Sequence, residues 1–160
     1  MLLAVGTISW IALVSWVATA GGGFVMLAIW IRRGGMRQRE SGRIRPPLIL
    51  GHFLLAATGL VLWIIYLASD TDALAWVALA VLAVVAALGW TMFFIWATQR
   101  QRGLAATGSP GATAAAPATT VGEAGPVEQH FPVSIVAAHG LLAVATVLLV
   151  LLAAIGVGGS

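Results

Sequence analysis

Four stretches of this chain contain no Asp, Glu, Lys or Arg: Met1–Ile31, Pro46–Ser69, Ala73–Gln99 and Gln129–Ser160. Each exceeds the ~20 apolar residues that carry a helix across a bilayer core. No water reaches backbone groups there, and the stretches are too long and too uniformly apolar to be alternating barrel strands. The reading is an all-α membrane protein with four transmembrane helices near 5–31, 47–68, 73–97 and 132–157. The first stretch lacks a basic amino-terminal region and ends in arginines, so it is expected to stay as a helix and not to be removed as a signal peptide.

Charge then sets the orientation. The chain has eight Arg, five Asp plus Glu, and no Lys. Arg32, Arg33, Arg37, Arg39, Arg43 and Arg45 follow the first helix, Arg100 and Arg102 follow the third, and Asp70 and Asp72 lie between the second and third. The positive-inside rule places the arginine loops in the cytoplasm and both termini outside. The Ala, Val, Gly and Arg bias fits a GC-rich bacterial genome, and so a plasma-membrane location. A net charge of +3 resting on so few arginines does not describe a nucleic-acid-binding surface. With no cysteine, disulfides, thiolate metal sites and iron–sulfur clusters are excluded. Residues 103–128, rich in Ala, Gly, Thr and Pro, read as a flexible cytoplasmic linker within a single transmembrane domain.

The chain contains an internal repeat. Gly23-Phe-Val-Met26-Leu-Ala-Ile-Trp30 in the first helix matches Gly89-Trp-Thr-Met92-Phe-Phe-Ile-Trp96 in the third. His52-Phe-Leu-Leu-Ala56 in the second matches His139-Gly-Leu-Leu-Ala143 in the fourth. The unit is a helical hairpin used twice in the same direction, with a pseudo-two-fold axis along the membrane normal. Trp30 and Trp96 then fall at one interface, where indoles serve as anchors. Tyr66 and the other tryptophans are expected at the opposite interface or the lipid boundary.

Repetition also places equivalent residues at equal depth. His52 and His139, with Tyr66, are the only titratable side chains inside the four spans. His52 lies ~10 Å along its helix from Arg45, and Met26, Met92, Gly23 and Gly89 converge on the same layer. In an up-and-down bundle the two histidine-bearing helices are diagonal, ~12–14 Å apart, which suits an imidazole, a metal and a second imidazole in line. Gly23 and Gly89 would leave room for the edges of a porphyrin. Arg43 and Arg45 could pair with its propionates, because a guanidinium matches carboxylate geometry. An ionisable group inside a bilayer is a functional candidate by default. The plainer reading makes each histidine an interhelical hydrogen-bonding residue. His130, after Glu128, faces water.

These histidines resemble those of transmembrane four-helix b-type cytochromes, in which paired histidines on different helices hold haem inside the bundle. The resemblance implies haem b as cofactor, with His52 and His139 as axial ligands. It also implies electron transfer, or service as the membrane subunit of a redox complex, with other membrane or redox proteins as partners. Such cytochromes commonly carry a second histidine pair near the other face, and this chain has none. Two other functions remain open from sequence. His52, His139, Met26 and Met92 also describe a soft copper site, because thioether sulfur selects Cu(I). A non-catalytic scaffold or accessory subunit needs no cofactor. No membrane-embedded carboxylate is available to couple export to protons, and no Ser, His and carboxylate set shares one level for hydrolysis. Whether the fourth helix packs in its own chain or in a second copy, giving a homo-oligomer, is open at this stage.

Overall fold

A computed structural model describes residues 6–37, 44–107 and 127–157. Four helices dominate it: α1, Thr7–Arg32; α2, Pro46–Ser69; α3, Asp72–Thr107; and α4, Val133–Ala154, preceded by a 3-10 turn at Val127–His130. All four are long and apolar enough to span a membrane, and no strand occurs among the described residues.

Local chemistry sets the ends. Pro46 and Pro47 open α2 behind the extended Arg45, where a missing N–H costs nothing. Asp70 closes it in the left-handed region, φ 52°, with its N–H donated to the Tyr66 carbonyl. Asp72 sits in the first turn of α3, where negative charge suits the helix dipole. Gly34, φ +82°, turns the chain after α1, and the Trp30 indole lies so close over Gly35 that a Cβ there would be driven into the ring.

Two features depart from expectation. The third helix continues well past residue 97 to Thr107, so the start of the linker is helical, while residues 108–126 lie outside the described set. The tightest packing also runs between the repeats and not within them. Helix α1 packs most extensively on α4 and α2 on α3, whereas α1/α2 and α3/α4 meet less closely and the backbones of the diagonal pairs α1/α3 and α2/α4 stay apart. Helix α4 therefore packs against α1 of its own chain, and the two hairpins complete each other.

Burial follows the repeat residue by residue. Ser9, Ala12, Trp16, Thr19 and Trp30 are buried on α1, and their equivalents Ala75, Ala78, Leu82, Val85 and Trp96 are buried on α3. Gly59, Trp63 and Tyr66 on α2 correspond likewise to Thr146, Val150 and Ala153 on α4. In the half near Asp70 and Asp72 the core is dense. Trp63 is fully enclosed between Trp16 and Tyr66, with ring centres 6.4 and 4.8 Å away, and donates its indole N–H to the Ser9 carbonyl at 3.2 Å. Gly59 provides the notch for Trp16: a Cβ there would stand 3.0 Å from the indole. On the α1/α4 seam the Thr146 hydroxyl meets Ser15 at 2.8 Å and Thr19 at 3.2 Å.

The other half of the bundle is different. Between Thr19 and Trp30, between Pro46 and Gly59, between Val85 and Trp96, and from Val133 up to Thr146, no residue is fully buried. This loosely filled layer lies between the dense core and a closing layer of Trp30, Trp96, Gln99, Ile44 and Val127. Trp30 and Trp96, only 2% and 7% exposed, are thus closing residues of the bundle and not lipid-interface anchors. Trp16, Trp63 and Tyr66 are core residues, and only Trp10, Trp76 and Trp90 of the tryptophans expected at a boundary are exposed. Shape complementarity between helices, which hydropathy does not encode, decides which indoles turn inward.

Candidate histidine site

The loosely filled layer contains both histidines. His52 on α2 and His139 on α4 face each other across the diagonal, with ring centres 6.5 Å apart and planes inclined by 60°. Each imidazole is tied to the helix beside it. His139 Nδ1 donates to the Thr19 carbonyl on α1 at 2.9 Å, and His52 Nδ1 donates to the Val85 carbonyl on α3 at 3.1 Å. Thr19 and Val85 each lie four residues before the glycine of the repeat, so one interaction is built twice by the same pseudo-two-fold.

These bonds fix the chemistry of the rings. A carbonyl oxygen only accepts, so Nδ1 carries the proton and Nε2 of a neutral ring keeps a lone pair. That is the arrangement in which a backbone carbonyl orients a metal-binding histidine from behind. Two imidazole nitrogens bound in line, each ~2 Å from one metal, put the ring centres roughly 6–6.5 Å apart. The observed ring-centre distance of 6.5 Å is of that size.

The glycines play a different part from the one expected. A Cβ on Gly23 would stand 3.2 Å from Cε1 of His139, and one on Gly89 would stand 3.3 Å from Cε1 of His52. A Cβ on Gly22 would stand 3.4 Å from Nδ1 of the same His139 ring. The space freed by Gly23 and Gly89 is therefore taken by the imidazoles. The two rings lie against α1 and α3, close enough to reach those carbonyls. This yields a directional test. Gly89→Leu is expected to push His52 off the Val85 carbonyl and reduce retention of any bound metal group by roughly 10- to 100-fold, the usual cost of losing a partner behind a ligand. Gly51→Leu and Gly140→Leu, where nothing stands within 4 Å of the added Cβ, are expected to leave it unchanged; metal content per purified protein is the readout.

The remaining candidates are dispersed. Met26 and Met92 occupy equivalent half-buried positions one turn beyond the glycines. Arg45 is exposed at the start of α2, and Arg43 lies outside the described residues. His130 is exposed, with Nδ1 directed at the Val127 carbonyl at 3.3 Å. The plainer sequence reading, an interhelical hydrogen bond from each histidine to a Ser, a Thr or a backbone carbonyl, agrees with the Nδ1 bonds, but which two carbonyls accept them was not legible. Their only trace is indirect: the i−4 spacing from Gly23 and Gly89, which becomes meaningful once the histidines are known to lie against those glycines. Among the described residues no cluster of three or more His, Cys, Asp or Glu is found that could hold a metal. Comparison with protein-family models, curated proteins and solved structures finds no match.

Proposed function

We propose that this chain is a membrane b-type haem protein in which His52 and His139 are the axial ligands, serving as an electron carrier or as the membrane subunit of a redox complex. The observation that carries this reading is the matched pair of imidazoles. Their centres are 6.5 Å apart, each is held through Nδ1, and both lie in the one layer of the bundle without a buried core. An interhelical polar contact accounts for the Nδ1 bonds. It does not by itself account for two such rings brought to 6.5 Å from each other at repeat-related positions in a layer with no fully buried residue.

Haem supplies one-electron exchange at iron, with a potential set by ligand type, burial and hydrogen bonding. The chain's part is to orient and to insulate. The Thr19 and Val85 carbonyls hold the rings, polarise them toward stronger donation and resist their rotation. His52 and His139 would together hold the haem, and a group held by two protein ligands would serve electron transfer over binding of a small gas. The dense core around Trp63 separates the site from the opposite face, so exchange with a partner takes place from the arginine end. By the positive-inside rule that end is cytoplasmic, and exposed Arg45 there is placed to attract an anionic group, a propionate or an acidic partner surface.

The test is an absorption spectrum of detergent-purified protein expressed with a haem precursor, oxidised and dithionite-reduced. A Soret band that sharpens and moves on reduction, with resolved α and β bands, is the expected result. A flat spectrum with stoichiometric copper would replace haem by the Cu(I) reading through Met26 and Met92, and a flat spectrum without metal would leave the scaffold reading.

A further inference from the structure

At the end of the bundle opposite the arginines a cleft of about 320 Å³ opens between all four helices. Its walls include Ser9, Tyr66, Asp70, Asp72 and Trp76, closed on the α4 side by the turn after Ala153. Among the described residues its charge is one-sided, because two carboxylates line it and no Arg, Lys or His does. Two of its polar side chains are almost wholly buried: Ser9 is 3% exposed and Tyr66 6%. Neither hydroxyl has a hydrogen-bonding partner among the described residues; the bond at Ser9 uses its carbonyl, and the Tyr66 ring packs against Trp63. Both residues line the cleft, where their hydroxyls are left to pair with whatever fills it, and two such groups in the wall of one acidic cleft describe a place for a ligand that donates hydrogen bonds. Trp76, half exposed beside them, offers an aromatic face.

The size and donor set choose among cations. A volume of about 320 Å³ is within the range of small-molecule sites and far exceeds a metal ion. A hard divalent ion requires six or more oxygens around a small centre, and two carboxylates in so wide a cleft do not supply them. A primary ammonium with an apolar stem fits each feature. It places positive charge beside Asp70 and Asp72, donates N–H to the Ser9 and Tyr66 oxygens, and sets its stem or charge against the Trp76 ring. We propose that this cleft is a binding site for an alkylammonium group, separate from the histidine layer and independent of whether haem is bound there. The same chemistry is offered by a free amine and by an ethanolamine lipid headgroup, since the cleft opens at the membrane surface.

The test uses the full chain in nanodiscs of phosphatidylglycerol alone, with n-butylammonium as probe and saturation-transfer NMR as readout. A saturable signal is expected. It should be reduced at least tenfold in the Asp70→Asn/Asp72→Asn variant, weakened in Tyr66→Phe, and unchanged in His52→Ala. Far-UV circular dichroism and thermal melting confirm that each variant is folded. Including phosphatidylethanolamine in the discs separates the sources: loss of the butylammonium signal identifies the headgroup as the natural occupant, and an undiminished signal identifies a free amine. Absence of a saturable signal, a signal unaffected by Asp70→Asn/Asp72→Asn in the folded protein, or displacement of the probe by millimolar Ca2+ with Ca2+ itself bound stoichiometrically would overturn the proposal.

Discussion

Replacing His52 or His139 by Ala is expected to abolish the Soret band while leaving helix content and the assembled bundle intact. Each imidazole is half-buried in a layer that contributes no buried residue to the core, so its loss removes little packing. It does remove one of two protein ligands, and a lost axial ligand should lower haem retention by roughly 100-fold or more, beyond what loss of a partner behind the ligand costs. The variant His52→Gly sharpens the test: free imidazole added to it should restore a six-coordinate spectrum, because the Val85 carbonyl remains to orient an exogenous ring. His130→Ala should leave the spectrum unchanged, since that side chain is exposed outside the layer. If either core histidine were replaced without spectral consequence in a haem-loaded protein, axial ligation by this pair would be refuted.

The second large effect concerns stability. Trp63→Ala is expected to destabilise the folded bundle by about 3–5 kcal/mol, the range for truncating a fully buried large aromatic. Trp63 has no exposed surface, packs on Trp16 and Tyr66, and links α2 to α1 through the Ser9 carbonyl. In lipid the loss is one of contacts and not of hydrophobic transfer, because lipid tails are as apolar as the core. Trp63→Phe should retain most of the packing and lose about 1 kcal/mol with the hydrogen bond. Trp10→Ala and Trp76→Ala, at 43% and 50% exposed, should change stability far less. Unfolding in mixed detergent micelles, followed by far-UV circular dichroism, orders the four variants. Equal sensitivity at Trp63 and Trp76 would mean that the core does not lie where the structure places it.

The two effects separate the halves of the bundle. Substitutions at Trp63 are expected to change stability with the haem spectrum preserved in whatever protein folds, and substitutions at His52 the reverse.

Much of this was legible from residue order. The absence of charge over four long stretches forces helices, because no other backbone conformation satisfies its own hydrogen bonds in lipid. The Gly-aromatic-x-Met and HxLLA matches disclose the repeat, and the repeat places His52 and His139 at one depth. Direction around each helix was not legible. The helices are apolar on every side, so nothing in hydropathy distinguishes a face turned to lipid from a face turned to another helix. For that reason Trp30, Trp96, Trp63 and Tyr66 were expected at boundaries and are buried. Gly23 and Gly89 were expected to make space for a porphyrin edge, and the structure gives that space to the imidazoles.

The sequence by itself thus determined the helices, their number, their two-fold repetition and the depth of the histidines, since these follow from hydropathy, charge and spacing along one dimension. Tertiary structure alone decided that α1 pairs with α4 and α2 with α3. It decided that the Thr19 and Val85 carbonyls lie behind the rings, and that Ser9, Tyr66, Asp70 and Asp72 share one cleft. The reason is physical: a carbonyl is present at every residue and carries no sequence signature, and the meeting of helix faces in lipid is settled by fit and not by polarity.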